Sequence, residues 1–263
     1  MKTTFIHITD SHLLGGTSKL YNIPIKEVHL KIIEEIKVIE NEIDFILHTG
    51  DISDNGSKES YFTAIELFTQ FNKPVYWIAG NHDDLNIIDT FKNEKNIKPD
   101  KFFSVNDTYF ILLNTVVLAS DGKNRSSGVL TTDELQFLEN SLNQTNSNPT
   151  IIALHHPPIK SNTWKDERML TKTSEFFDII NKYNNVKLVL YGHQHQAQET
   201  IIDDIKFYCP PAASFQFDRN LKWKFENSNS GFGIVNINDD NTIDCLNRYL
   251  DFEVNPIYEG KNI

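Results

Sequence analysis

Five short stretches carry side chains that can hold metal ions: Asp10 with His12, Asp51, Asn81 next to His82, His155, and His193 with His195. Together they offer carboxylate, imidazole and amide oxygen, and no thiolate. That hard-to-borderline donor set suits manganese, iron, cobalt or zinc in a reactive centre, whereas a structural zinc site normally draws on cysteine. The seven ligand candidates are too many for one ion and about right for two ions that share a carboxylate. Two ions about 3.5–4 Å apart clamp the attacking and leaving oxygens of an in-line displacement at phosphorus. Singly, each residue has a plainer use: an isolated Asp or Asn forms turns, and an isolated His satisfies a polar neighbour. The joint pattern outweighs those uses.

Each candidate directly follows an apolar, β-rich run: residues 4–9, 45–49, 75–79, 150–154 and 186–191. The carboxyl ends of strands in an α/β sheet share one edge, and ligands bind there, so residues far apart in sequence can meet. Gly50, Gly80 and Gly192 immediately precede three of the candidates and permit sharp turns and close backbone approach. Ile25, Val28, Ile32, Ile36 and Ile39 recur at helical spacing and predict a helix over 24–41. A second helix carries Phe62, Ile65, Phe68 and Phe71 on one face behind a Ser57 or Ser60 cap; Asp83 or Asp84 can cap a short third. Thr131 with Glu134 is a capping-box pattern for a helix to Leu142, and another helix is expected near 174–183.

Residues 102–105 and 109–114 read as strands joined at Asn106-Asp107, and 115–128 as a polar loop. From residue 198 on, the runs 198–203, 205–208, 215–217, 232–237 and 242–249 are all β-like. The expectation is a single α/β domain over 1–263 whose 196–263 part is β-rich.

The 36 acidic and 25 basic residues give a net charge of −11, which argues against nucleic-acid partners and against an anionic membrane surface. Cys209 and Cys245 sit in separate apolar runs and read as free thiols. Residues 1–9 have no basic start and no long apolar core, and no apolar run reaches membrane-spanning length, so the expected location is cytoplasmic.

In chain order, D-x-H (Asp10, His12), G-D-x-x-D (Gly50, Asp51, Asp54), G-N-H-D (Gly80, Asn81, His82, Asp83), His155 and G-H-x-H (Gly192, His193, His195) resemble the calcineurin-like binuclear metallophosphoesterases. The resemblance implies a four-layer α/β/β/α sandwich with mixed sheets and two divalent ions, iron or manganese first, with zinc or cobalt as alternatives. It implies one ion on Asp10, His12, Asp51 and His195, the other on Asp51, Asn81, His155 and His193, and attack on phosphorus by a bridging hydroxide. Asn81, His82 and His195 would contact the substrate. His82 would stabilise the phosphorane and protonate the leaving alkoxide, with Asp54 orienting its ring.

Pro211, Ala212, Ala213, Ser214, Phe215, Gln216 and Phe217, followed by Gly231-Phe232, resemble the tail of bacterial class III cyclic-nucleotide phosphodiesterases. That implies hydrolysis of 3′,5′-cyclic nucleotides, cyclic AMP in particular, to 5′-monophosphates, with a small-molecule phosphodiester as partner and a homodimer left open. Two other readings stand beside it. One keeps the site and changes the substrate to a glycerophosphodiester, a pyrophosphate or a phosphomonoester. The other is a non-catalytic metal-binding module, although no ligand and no G-N-H histidine is missing. His156 is expected beside the ligands rather than among them; His7, His29 and His48 are expected to be structural. Phe215, Phe217, Trp223 and Phe225 either stack on a nucleobase or pack.

Overall fold

The β-branched and aromatic run at the start of the chain forms β1 (Thr3–Ile8), which is buried on both faces apart from half-buried Thr4. Around it the computed structural model, which describes residues 2–91, 93–120, 122–226 and 229–251, has two six-stranded mixed sheets. Beside β1 lie β2 (Phe45–His48), β3 (Val75–Trp77) and β4 (Ile97–Lys98), all parallel. In the second sheet, β5 (Phe102–Val105) pairs antiparallel with β6 (Thr108–Leu112), and β7 (Thr150–Ala153), β8 (Val186–Leu190) and β10 (Ile205–Cys209) follow in parallel. β9 (Gln198–Ile202) closes its edge. β11 (Gly231–Ile237) and β12 (Ile243–Tyr249) return to the first sheet, β11 lying antiparallel against β1.

The apolar positions sort into three layers. Ile6 and Ile8 face α1 (Ile25–Val38) and α2 (Lys58–Phe68), where Ile32, Ile36 and Leu67 pack. One residue over in register, Phe5 faces the other sheet and meets Phe45, Phe110, Ile151 and Leu188. Leu138, Leu142, Phe176 and Ile180 of α4 (Thr132–Leu142) and α5 (Thr173–Ile180) cover the far side of the second sheet. The result is the four-layer α/β/β/α sandwich expected from the sequence. At its centre Phe5 stacks on Phe45 at 4.7 Å, and both meet Phe110 edge-on at 5.5 and 4.9 Å.

Local signals behave as their chemistry dictates, with some corrections. Ser57 accepts from Ser60 N, and Asp84, not Asp83, caps α3 (Leu85–Ile88). Thr131 caps α4, but Glu134 leaves the capping box and accepts from Asn114 N and Lys101 Nζ, tying the end of β6 to the helix. Asn106 (φ 48°) and Asp107 (φ 67°) make the hairpin turn between β5 and β6. Residues 215–217 form no strand; only an isolated bridge joins Phe217 to Phe225. The part after residue 196 does not form a layer of its own, because β9 and β10 join one sheet and β11 and β12 the other; residues 252–263 lie outside the described ones. Cys209 and Cys245 are free thiols. Among the described residues no helix is long and apolar enough to cross a membrane.

Phe110 is fully buried between the sheets, so Phe110→Ala should lower unfolding stability by about 3–5 kcal/mol in urea titration, and Phe110→Leu by clearly less. Equal losses for the two variants would mean that cavity volume does not set the cost.

Candidate metal centre

The loops after β1 and β2 run side by side. Main-chain hydrogen bonds join Asp10 N to the Gly50 carbonyl (3.0 Å), His12 N to that of Asp51 (2.9 Å) and Leu13 N to that of Ile52 (2.9 Å). This pairing forces unusual backbone. Asp10 (φ 53°), His12 (φ 46°) and Asp51 (φ 53°) lie in the left-handed region, as do His193 (φ 68°) and His195 (φ 51°) after β8. Gly50 has φ 98°, and a Cβ there would stand 2.6 Å from His155 Nδ1 and 2.7 Å from Gly80 N. Only glycine lets these loops close to this distance.

The ligand atoms converge from five strand ends. His12 Nε2 is 3.1 Å from His195 Nε2 and 3.6 Å from Asp51 Oδ2, and His195 Nε2 is 3.3 Å from Asp10 Oδ1. On the other side of Asp51, His155 Nε2 is 3.4 Å from its Oδ2 and 3.3 Å from Asn81 Oδ1. The His193 ring sits 5.1 Å from that of His155. Asp51 is thus common to both groups. Donors held at about 2.1 Å by one cation lie roughly 3 Å apart, close to these separations.

Hydrogen bonds on the far side of each ring fix its tautomer. Nδ1 of His155 donates to the Thr49 carbonyl (2.8 Å), that of His195 to the Phe215 carbonyl (2.9 Å) and that of His12 to Asp54 Oδ1 (3.0 Å). Each Nε2 is thereby turned to the centre, where it offers a lone pair once any proton it carries gives way to a cation. Asp10 is held by Thr9 Oγ1 (2.8 Å) and His193 N (2.9 Å), and Asp51 by His82 N (2.8 Å). Nε2 of His193 and of His156 is buried without a hydrogen-bond partner among the described residues, and together with His155 these rings form a group able to hold a cation. The donor set and the converging lone pairs fit two divalent ions.

Buried carboxylates and imidazoles act on one another across the centre. Burial raises the Asp10 carboxyl against the pull of His155. Burial works the same way on Asp51, but His155, His82 and His12 around it hold that carboxyl well below the usual range. His155, although buried, is carried up to about 9 by the Asp51 carboxylate. His193 and His195 are kept neutral by burial and by the nearby Lys165 ammonium. Protons here stand where cations would displace them.

Asp54 departs from the expected arrangement. Its carboxylate is on the His12 ring, and its Oδ1 is 3.8 Å from His82 Nδ1. His82 instead donates Nδ1–H to the main-chain carbonyl of Asp54 (2.7 Å). The carboxylate reaches a ligand ring because the loop after β2 runs beside the loop after β1. Asp83 is not a cap. Buried, it accepts from Gly80 N, Ile52 N, Ser53 N and Tyr61 Oη and clamps two ligand loops together, and burial lifts its carboxyl to about 6. His156 binds Thr115 Oγ1 through Nδ1 (2.7 Å).

Phe215 and Phe217 are buried and lie on the ligand rings, Phe215 at 4.5 Å from His195 and 5.7 Å from His12. Stacking on a nucleobase and packing were both open for this aromatic group; these two rings pack on the imidazoles and also line the cavity beside them. Trp223 reaches the pocket wall with three residues the sequence reading passed over, Tyr21, Lys165 and Arg168. Lys165 and Arg168 follow the His155-His156-Pro157-Pro158 run by seven and ten residues in a charged segment without periodicity, which gives no cue from spacing.

Because Asp54 holds a ligand ring through its side chain but His82 through its main chain, Asp54→Ala should weaken metal binding by about 10–100-fold in calorimetric titration. Unchanged affinity alongside lost turnover would return the carboxylate to His82.

The calcineurin-like phosphoesterase family matches residues 3–197. A 3′,5′-cyclic-nucleotide phosphodiesterase of Nostoc sp. is 33% identical over 238 residues, 89% of this chain and 88% of the relative. A 3′,5′-cyclic adenosine monophosphate phosphodiesterase of Haemophilus influenzae is 30% identical over 236 residues, 85% of each chain. In fold, a dimetal phosphatase from Danio rerio superposes with a TM-score of 0.67 at 12% identity, covering 89% of this chain and 92% of that one. With a family match across most of its length and a ligand set converging at the strand ends, this chain belongs to the calcineurin-like phosphoesterases, metal-dependent hydrolases of phosphoric esters.

Proposed function

We propose that the protein hydrolyses 3′,5′-cyclic nucleotides, cyclic AMP among them, to 5′-monophosphates. The observation that carries this reading is the position of the tail 211–217, the segment that resembles cyclic-nucleotide phosphodiesterases. It is part of the centre: Ala213 N donates to the Thr9 carbonyl (2.9 Å), Ser214 Oγ to the Asp10 carbonyl (2.7 Å), and the Phe215 carbonyl accepts from His195. The names of the Nostoc and Haemophilus relatives point the same way.

On this reading Asp10, His12, Asp51 and His195 hold one ion, and Asp51, Asn81, His155 and His193 the other. Two such ions would supply a water acidic enough to attack at neutral pH and would draw charge from a phosphoryl oxygen. The chain's own groups do the remaining work. His82, with Nδ1 committed to the Asp54 carbonyl, lines the pocket with Nε2 left over, and there it binds a phosphoryl oxygen and passes the proton released by the attacking water to the leaving alkoxide. Asn81 and His195 line the same pocket and fix the ester between the two ligand groups.

Two measurements test this. Metal-loaded protein offered cyclic AMP, cyclic GMP, a glycerophosphodiester, a pyrophosphate and an aryl diester should release 5′-monophosphate from a cyclic nucleotide. Cleavage of the aryl diester alone would sink the cyclic-nucleotide assignment. His82→Ala and Asn81→Ala should each lower kcat/KM by about a hundredfold or more. Asp51→Ala should lose both metals in elemental analysis, and His195→Ala mainly one.

A further inference from the structure

Lys165 is a cation that the fold buries beside the metal ligands without giving it a carboxylate. It stands on the short 3-10 helix Trp164–Arg168, is 5% exposed, and donates from Nζ to the His193 carbonyl at 3.0 Å. The ammonium lies 4.5 Å above the ring of Phe217 and 5.3 Å from that of Trp164. No Asp or Glu oxygen comes within 4.0 Å of it among the described residues. An ammonium has three donors, and the structure supplies one accepting oxygen. The aromatic faces screen it from water while adding only part of a counter-charge.

Burying a charge without a partner costs several kcal/mol, and folds retain such a group where something else balances it. Burial pulls the Lys165 ammonium down to about 8, and the carboxylates that work against that pull are Asp10 and, more weakly, Asp51, both ligand candidates. Divalent ions on those residues would consume that negative charge. What then balances Lys165 has to enter the pocket, and Lys165 lines the same cavity as His12, Asp51, Asn81, His82, His193 and His195.

We propose that Lys165 is a substrate-contacting residue whose ammonium donates to a non-bridging phosphoryl oxygen from the His193 side of the cavity. His82 approaches from the Asp54 side, so the two would hold the phosphoryl group between them. A diester carries one negative charge and the monoester product two, so a fixed cation here favours the direction of the reaction and the charge that builds on the way. The inference rests on the binuclear phosphoesterase reading of the centre and not on the choice of a cyclic nucleotide.

The test uses metal-loaded wild type, Lys165→Met and Lys165→Arg, with three readouts: metal per chain by elemental analysis, inorganic phosphate binding by calorimetry, and kinetics on an aryl phosphodiester. Lys165→Met should keep both metals, bind phosphate about tenfold or more weakly, and lose about 30–100-fold in kcat/KM. Lys165→Arg should recover most of the phosphate affinity, because it restores charge and donors. Phosphate affinity within about twofold of wild type in Lys165→Met at full metal content would overturn the proposal. So would loss of metal in that variant, since Lys165 would then serve to hold the His193 loop. The probes are phosphate and an aryl diester, so a wild type that ignores cyclic AMP would refute the nucleotide assignment and leave this result readable.

Discussion

The structure depends on keeping two carboxylates, Asp10 and Asp51, buried beside His155, with one donor atom of each of the three within 4.8 Å of the others. Each would repel the other in a dry site, and each is placed by backbone in the left-handed region. Five of the seven ligand candidates share that backbone strain, at about 1–3 kcal/mol apiece. Protonated imidazoles offset part of the repulsion in the chain as it stands, and divalent cations would offset far more. Folding and metal binding are therefore linked here, because the same atoms carry the strain and the affinity.

Holding such a centre open takes a rigid surround, and the hydrogen bonds outside the ligands supply it. His48 accepts from Gly50 N at Nδ1 (3.2 Å), so its Nε2–H donates to Ser11 Oγ (2.7 Å), joining the loops after β1 and β2 through one buried ring. Asp83 joins the loops after β2 and β3 in the same manner, and Asn124 holds the main-chain carbonyls of Asn81 and Asp83 from the loop after β6. Each clamp spans two loops that sequence separates widely, so the distance between ligand groups is set by side chains that touch no metal.

Much of this was legible because strand ends are legible. An apolar run that stops at Gly50-Asp51 or Gly192-His193 announces both the strand and the turn, and the order of five such stops fixed the expected fold and ligand set. The Asn106-Asp107 turn was readable because its residues tolerate positive φ. The misses were of another kind. Two-residue β4 has too few positions for any period to show, and Glu134 left its capping box for Asn114, a partner fixed only by tertiary packing. The Asp54 carboxylate lies on His12 rather than on His82, and spacing within one loop says nothing about which neighbouring loop lies alongside.

The aromatic tail shows where sequence stops separating function from packing. Phe215 and Phe217 have the composition of a nucleobase platform, yet at the cavity wall they pack on His12, His195 and each other, and Phe217 also stacks on Phe225 and lies under the Lys165 ammonium. They raise the apolar wall that dries and orients the imidazoles, a service any substrate would need. Around the same cavity stand Tyr21 and Trp223 with aromatic surface and Lys165 and Arg168 with charge. None of the four lies at a strand end. The sheet edge fixes the chemistry, and the segments packed over it, which carry no period to read, are left to choose the substrate.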